Sequence, residues 1–138
     1  MKRAIPRPTA AQQAHQDAQR AVGCAVCLWR IQHGMQSTWC GPPEIHHRTI
    51  GDMHGQKQLG QDATVCLGSW HHRGQTLPLL GLNDMRWHFG PSFALHARDF
   101  RVWTADVLGD DLRGTEAWQN WQDAQIRKHT GAAPLRVA

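Results

Sequence analysis

The sequence predicts a small α+β domain, and three observations carry that expectation. Two short runs, 44–50 and 64–67, have strand length and are bounded by prolines, glycines and polar residues. Segments on either side, 10–22 and about 93–108, have helical composition or spacing. Between them, residues 24–75 are poor in aliphatics and rich in Gly, His and Gln, with cysteines interspersed. Such a stretch buries too little apolar area to fix two strands and a loop, so a metal clip is the expected source of its stability.

At 138 residues and 41% hydrophobic, the chain has the length and the apolar content of one domain. No run of 18 apolar residues exists, so no membrane span is expected. The start, Met1-Lys-Arg-Ala-Ile-Pro-Arg-Pro8, lacks the apolar stretch of a signal peptide, which makes the cytoplasm the expected location. The net charge of +4 sits entirely in residues 1–30, where Lys2, Arg3, Arg7, Arg20 and Arg30 face Asp17 alone. A basic arm on a neutral body suits a polyanion, because each cation that neutralises a phosphate releases a counterion. A solvated tail is the equally weighted reading of the same charges.

In chain order, residues 1–8 read as an extended arm broken by Pro6 and Pro8. Thr9-Ala-Ala-Gln12 fits a capping box, opening an Ala/Gln-rich helix over 10–22 that ends near Gly23. Cys24 and Cys27 form a turn, followed by a short strand around Leu28–Gln32. Pro42-Pro43 stops structure ahead of the strand Glu44–Ile50, and 51–61 is a polar loop with three glycines. Thr64–Leu67 is the next strand, with His71 and His72 at or just before a helix; residues 74–91 read as irregular. Ser92 caps a helix of about 93–108, on which Phe93, Ala97, Phe100, Trp103 and Val107 make one buried face. Gly109-Asp-Asp is a break, and Thr115 caps a last helix with Ala117, Trp118, Trp121 and Ala124 inward. Three regions follow: 1–23, arm and first helix; 24–108, the metal-bearing domain; 109–138, last helix and tail.

Four cysteines in a chain expected to be cytoplasmic point away from disulfides. Cys24-x-x-Cys27 supplies two thiolates from one turn, and tetrahedral zinc needs two more ligands. Cys66 is the expected third and His71 the fourth, with Cys40 the rival for fourth place. Seven of ten histidines fall between His46 and His96, including the doublets His46-His47 and His71-His72. Adjacent residues of a regular strand point to opposite faces. The sensible division therefore gives one histidine of a doublet to a metal and keeps the other as a base. Glu44 lies on the face of His46 and is placed to orient a histidine or a cation.

Glu44-Ile-His46-His47, a loop, Thr64-Val-Cys66 and His71-His72-Arg-Gly resemble the HNH (ββα-metal) nucleases. The leading Cys24-x-x-Cys27 is similar to the zinc-stapled branch of that family, and Gly90-Pro-Ser-Phe-Ala-Leu-His96 with Phe100 resembles the phage recombination nucleases of the Ref type. The resemblance implies a ββα-metal core with a structural zinc, an N-terminal helix and two C-terminal helices. It implies His47 as general base, His46 and His72 as ligands of a catalytic Mg²⁺ or Mn²⁺ (Zn²⁺ is compatible with imidazoles), and His96 near the same ion. It implies hydrolysis of DNA to a 5′-phosphate and a 3′-hydroxyl, and a RecA-type recombinase filament as targeting partner. The family's mid-motif Asn has no counterpart here, since no Asn occurs between Ala25 and Leu82; Gln61 and Asp62 stand nearest, and Asp62 is counted with Glu44 among the catalytic groups. Lys2, Arg3, Arg7, Arg48 and Arg73 are the expected DNA contacts. Two other functions stay open: a non-catalytic zinc module that binds DNA or protein, and a thiol redox protein using Cys24 and Cys27.

Overall fold

A computed structural model of the chain describes residues 5–52, 56–109 and 114–129. Lys2, Arg3, His54, the expected break at Asp110-Asp111 and the tail after Gly131 lie outside the described residues. Within them the order is α1 (Ala10–Val22), α2 (Ala25–Gln32), β1 (Pro43–His47), β2 (Thr64–Gly68), α3 (Ser69–Arg73), α4 (Leu82–Phe89), α5 (Ala97–Leu108) and α6 (Thr115–His129).

The α+β class holds, with an antiparallel two-stranded sheet among helices. β1 and β2 pair in the register Glu44↔Leu67, Ile45↔Cys66, His46↔Val65, and α3 follows β2 without a linker. Residues directly opposite one another share a face. Glu44, His46, Val65 and Leu67 therefore look toward α3, while Ile45, His47, Thr64 and Cys66 look toward α1 and α6.

A two-stranded sheet leaves unpaired backbone groups along its outer edges. Glutamines satisfy them on the β2 side. Gln19 of α1 donates to the Thr64 carbonyl at 2.8 Å and accepts from the Thr64 hydroxyl at 2.9 Å. Gln122 of α6 accepts from the Cys66 N–H at 2.9 Å and donates to the Cys66 and Gly23 carbonyls. Both side chains are fully buried. The Gln-rich composition of α1 and α6 thus has a structural use: amides stand in for a third strand.

The capping box of α1 is present, with Gln12 N–H donating to Thr9 Oγ1 at 3.2 Å and Thr9 N–H to Gln12 Oε1 at 2.9 Å. α6 starts on a distant acid. The backbone N–H and the hydroxyl of Thr115 donate to the carboxylate of Asp52, which ends a 3₁₀ turn at Ile50–Asp52. A carboxylate there complements the helix dipole. The core gathers Val65, Leu67, Trp70, Phe93, Phe100 and Trp118 with Cys24, Cys27 and Cys40.

Two expected assignments fail, and two boundaries move. Leu28–Gln32 is the second half of helix α2, not a strand: Cys24 Sγ accepts from the Cys27 N–H and caps the helix, whose Ala25, Val26 and Cys27 are buried. Residues 74–91 are not irregular throughout, since Leu82–Phe89 form α4, which buries Met85 and Phe89 and is opened by the Gly81 N–H bonding Asp84 at 3.1 Å. The first strand is also shorter than expected, ending at His47, with only an isolated bridge between Thr49 and Gln58 beyond it. The helix after Ser92 begins at Ala97. Ser92 instead anchors the turn before it, its hydroxyl accepting from the Ala94 and Leu95 N–H groups and donating to the Trp70 carbonyl.

Candidate functional site

Four side chains from three places converge below the end of β2. Cys24 and Cys27 come from the N-terminus of α2, Cys40 from the Cys40-Gly-Pro-Pro turn before β1, and His71 from α3. Their ligand atoms all lie within 4.8 Å of one another, and all four residues are buried. His71 Nδ1 stands 3.4 Å from Cys24 Sγ, 3.8 Å from Cys27 Sγ and 3.3 Å from Cys40 Sγ. Tetrahedral zinc with Zn–S of ~2.3 Å and Zn–N of ~2.0 Å places N and S about 3.5 Å apart, so the hole has the dimensions of that ion.

The surroundings fit a cation as well. His71 Nε2 donates to the Phe89 carbonyl at 2.7 Å, which puts the lone pair on Nδ1, facing the sulfurs. The Cys27 and Cys40 N–H groups donate to Cys24 and Cys27 sulfur at 3.4 Å and 3.3 Å, as suits thiolates. With protein groups alone the cluster divides charge internally. Hydrogen bonds from Cys24 and Cys27 hold the Cys40 thiol far below its ordinary range, and burial drives Cys24 well above it. Burial opposes a charge on His71, but the Cys40 and Cys27 sulfurs outweigh it and push the imidazole up to about 10. A dication would replace those shared protons.

Cys66 is not in this group, which corrects the expected ligand set; Cys40 takes that place. The reason is where the strand passes the site. β2 meets the sulfurs at Gly68, where an added Cβ would lie 2.4 Å from Cys40 Sγ and 3.5 Å from Cys24 Cβ. Cys66 lies two residues earlier, about 6.6 Å back along the strand. It is buried with its backbone bonded to Gln122, and burial pushes its thiol up to about 12. None of the four cysteines is in a disulfide.

The second constellation lies on the α3-facing side of the sheet. The rings of His46 and His72 are 5.1 Å apart at 65°, and His46 also meets Phe93 at 5.1 Å. Glu44 accepts from His72 Nδ1 at 2.8 Å, which leaves the lone pair of His72 on Nε2. The same carboxylate takes a two-pronged ion pair from Arg73, at 2.8 Å and 2.6 Å. That pair, with burial opposing and His72 assisting, holds Glu44 below the usual carboxylate range. Glu44 is thus an orienting group. His46 is 5% exposed, whereas His72 is half-buried.

His96 is not gathered with them. Its Nδ1 accepts from the Ser92 N–H at 3.0 Å and its ring lies 5.8 Å from Trp70; burial and Arg86 lower its pKa. Among the described residues, the Cys24–Cys27–Cys40–His71 set is the one group of three or more such side chains with converging ligand atoms.

His47 points to the other face of the sheet, as strand alternation requires, and its Nε2 lies 2.9 Å from Gln61 Oε1. Asp62 is not its partner; exposed, it accepts from Gln12 at 3.1 Å. Gln61 and Asp62 are neighbours in sequence, and the contact with His47 goes to the amide. Of the expected DNA contacts, Arg7 is exposed. Arg48 is turned inward onto Gln119 at 2.9 Å with Glu116 at 3.9 Å, and Arg73 is engaged by Glu44. No helix among the described residues is long and apolar enough to cross a membrane. No family model, curated protein or solved structure matches the chain.

Proposed function

We propose that the chain is a metal-dependent DNA endonuclease of HNH type, folded around a structural zinc on Cys24, Cys27, Cys40 and His71. The observation that carries this reading is the meeting of His46 and His72, from β1 and the helix after β2, at 5.1 Å with Glu44 setting the tautomer of His72. Two imidazoles that share one cation at ~2.1 Å place their ring centres on the order of 5 Å apart, so the pair fits a divalent ion. With two protein ligands, Mg²⁺ or Mn²⁺ would keep water and take phosphate oxygens. When bound, that ion would neutralise charge on the scissile phosphate and on the leaving oxygen.

The chain's own residues supply the rest. Glu44 and Arg73 hold His72 in place. His47 ends β1 on the opposite face from His46, so the phosphate held by the ion would lie across the end of the strand, where His47 takes a proton from the attacking water as its oxygen bonds to phosphorus. The bond from phosphorus to the 3′ oxygen breaks, the 5′-phosphate stays on one product, and the 3′ oxygen leaves as a hydroxyl after taking a proton from solvent. The N-terminal arm, with Lys2, Arg3 and Arg7, contributes sequence-independent attraction to backbone phosphate.

Purified protein incubated with supercoiled plasmid and Mg²⁺ or Mn²⁺ tests this. Nicking by the wild type, a fall of at least about 100-fold in His47→Ala, and loss in His46→Ala are the expected results. Single-stranded DNA carrying a recombinase filament is the second substrate to try. A wild type that shifts DNA in a gel without cutting it, under either metal, would favour the non-catalytic zinc module, in keeping with the fact that His96 does not join the His46–His72 pair.

A further inference from the structure

The amide of Gln61 is held at both ends, and one end leaves no choice of orientation. Its Nε2 donates to the carbonyl of Pro6 at 2.8 Å. A proline carbonyl can only accept, so the atom facing it must be nitrogen. The other end of the amide is then oxygen, and it lies 2.9 Å from His47 Nε2 and 2.9 Å from Gln16 Nε2. Gln16 also donates to the Gln61 backbone carbonyl at 3.1 Å and is 4% exposed, so this support comes from the inner face of α1. The neighbouring acid, Asp62, is tied to Gln12 and makes no part of the contact.

Because Gln61 Oε1 accepts, His47 Nε2 must carry a hydrogen. We infer that Gln61 is a positioning residue that fixes His47 as its Nε2–H tautomer and thereby makes Nδ1 the nitrogen that receives the proton from water. The inference rests on the endonuclease reading for its catalytic meaning, but the tautomer itself is a property of the resting protein. It also joins two parts of the chain that looked unrelated in sequence. The carbonyl that sets the amide belongs to the arm that carries Arg7, so the arm's path past the sheet helps hold the base in its working form.

Long-range ¹⁵N–¹H correlation spectra of wild-type protein read the tautomer directly, with His47→Gln to assign the signals. A hydrogen on Nε2 and a lone pair on Nδ1 support the inference; a hydrogen on Nδ1 overturns it. Gln61→Met keeps the length of the side chain and removes both the acceptor and the donor. In that variant both tautomers of His47 should become visible, and the nicking rate should fall about tenfold or more with the metal concentration for half-maximal rate unchanged. A His47 tautomer as pure in Gln61→Met as in wild type also overturns it. The two readings separate cleanly. If the spectra agree and wild-type protein never cuts DNA, the endonuclease reading falls while the role of Gln61 in fixing His47 stands.

Discussion

At Gly68 the strand passes close enough to the sulfur cluster that a side chain there would meet Cys40 Sγ. Alanine there would push its methyl to 2.4 Å from Cys40 Sγ, so the sulfur or the strand would have to shift. Gly68→Ala should lower stability by about 1–3 kcal/mol in denaturant unfolding and weaken zinc retention in competition with a chromogenic chelator. The cysteines make a sharper comparison. Cys40→Ser should reduce bound zinc well below one per chain by elemental analysis, whereas Cys66→Ala should leave the stoichiometry near one, because its sulfur is not among the gathered ligands. The type of site was legible in the sequence: Cys24-x-x-Cys27 and His71 are where the spacing put them. The choice between Cys40 and Cys66 was not, because it depends on which residue of β2 passes the sulfurs, a matter of register and of the Gly68 contact. Gln61 and Asp62 differed in the same way, being neighbours in sequence and separated only by which side chain turns toward His47.

Among the elements, α2 and α4 were misread for different reasons. Leu28-Trp-Arg-Ile-Gln32 has the Trp and Ile of a strand, but its fate is set by tertiary context, since Cys24 caps the helix and the buried Ala25, Val26 and Cys27 pack it down. α4 lies in a stretch punctuated by Gly and Pro, and its spacing of Leu82, Met85 and Phe89 is helical over too few turns to stand out. α1, α5 and α6, with their longer patterns, were visible. α1 and α6 are also clamped by His15 and Asp123, at 2.7 Å. The hydrogen bond that His15 donates to Asp123 outweighs the desolvation of the ring and raises its pKa. A raised folded-state value means the contribution is complete below the unfolded pKa of about 6.5 and is lost as pH rises through the folded value. Between pH 6 and pH 9, therefore, wild type should lose somewhat more stability than Asp123→Asn, by about 1 kcal/mol or less given that both side chains are a quarter exposed. Urea midpoints at the two pH values would check it.

At the scale of the molecule, the sheet is too small to stand alone; a two-stranded pair is marginal in water. It persists because helices cover it, glutamines bind its outer edge, and four ligands from distant segments are drawn to one point. With zinc bound at that point, removing it with a chelator under reducing conditions should therefore cost more than about 4 kcal/mol, read as loss of near-ultraviolet circular dichroism from the buried Trp70 and Trp118 and restored by zinc.

Five residues make up α3, too few to hold a helix by propensity. Its shape is imposed from outside. Trp70 Nε1 donates to the Gly90 carbonyl, His71 to that of Phe89, and Ser92 reaches back to the Trp70 carbonyl. The short turn bearing both neighbouring imidazoles is thus a passenger on segment 89–92. Anyone transplanting that doublet into another scaffold would have to carry the segment with it, or the two rings would arrive without their bearings.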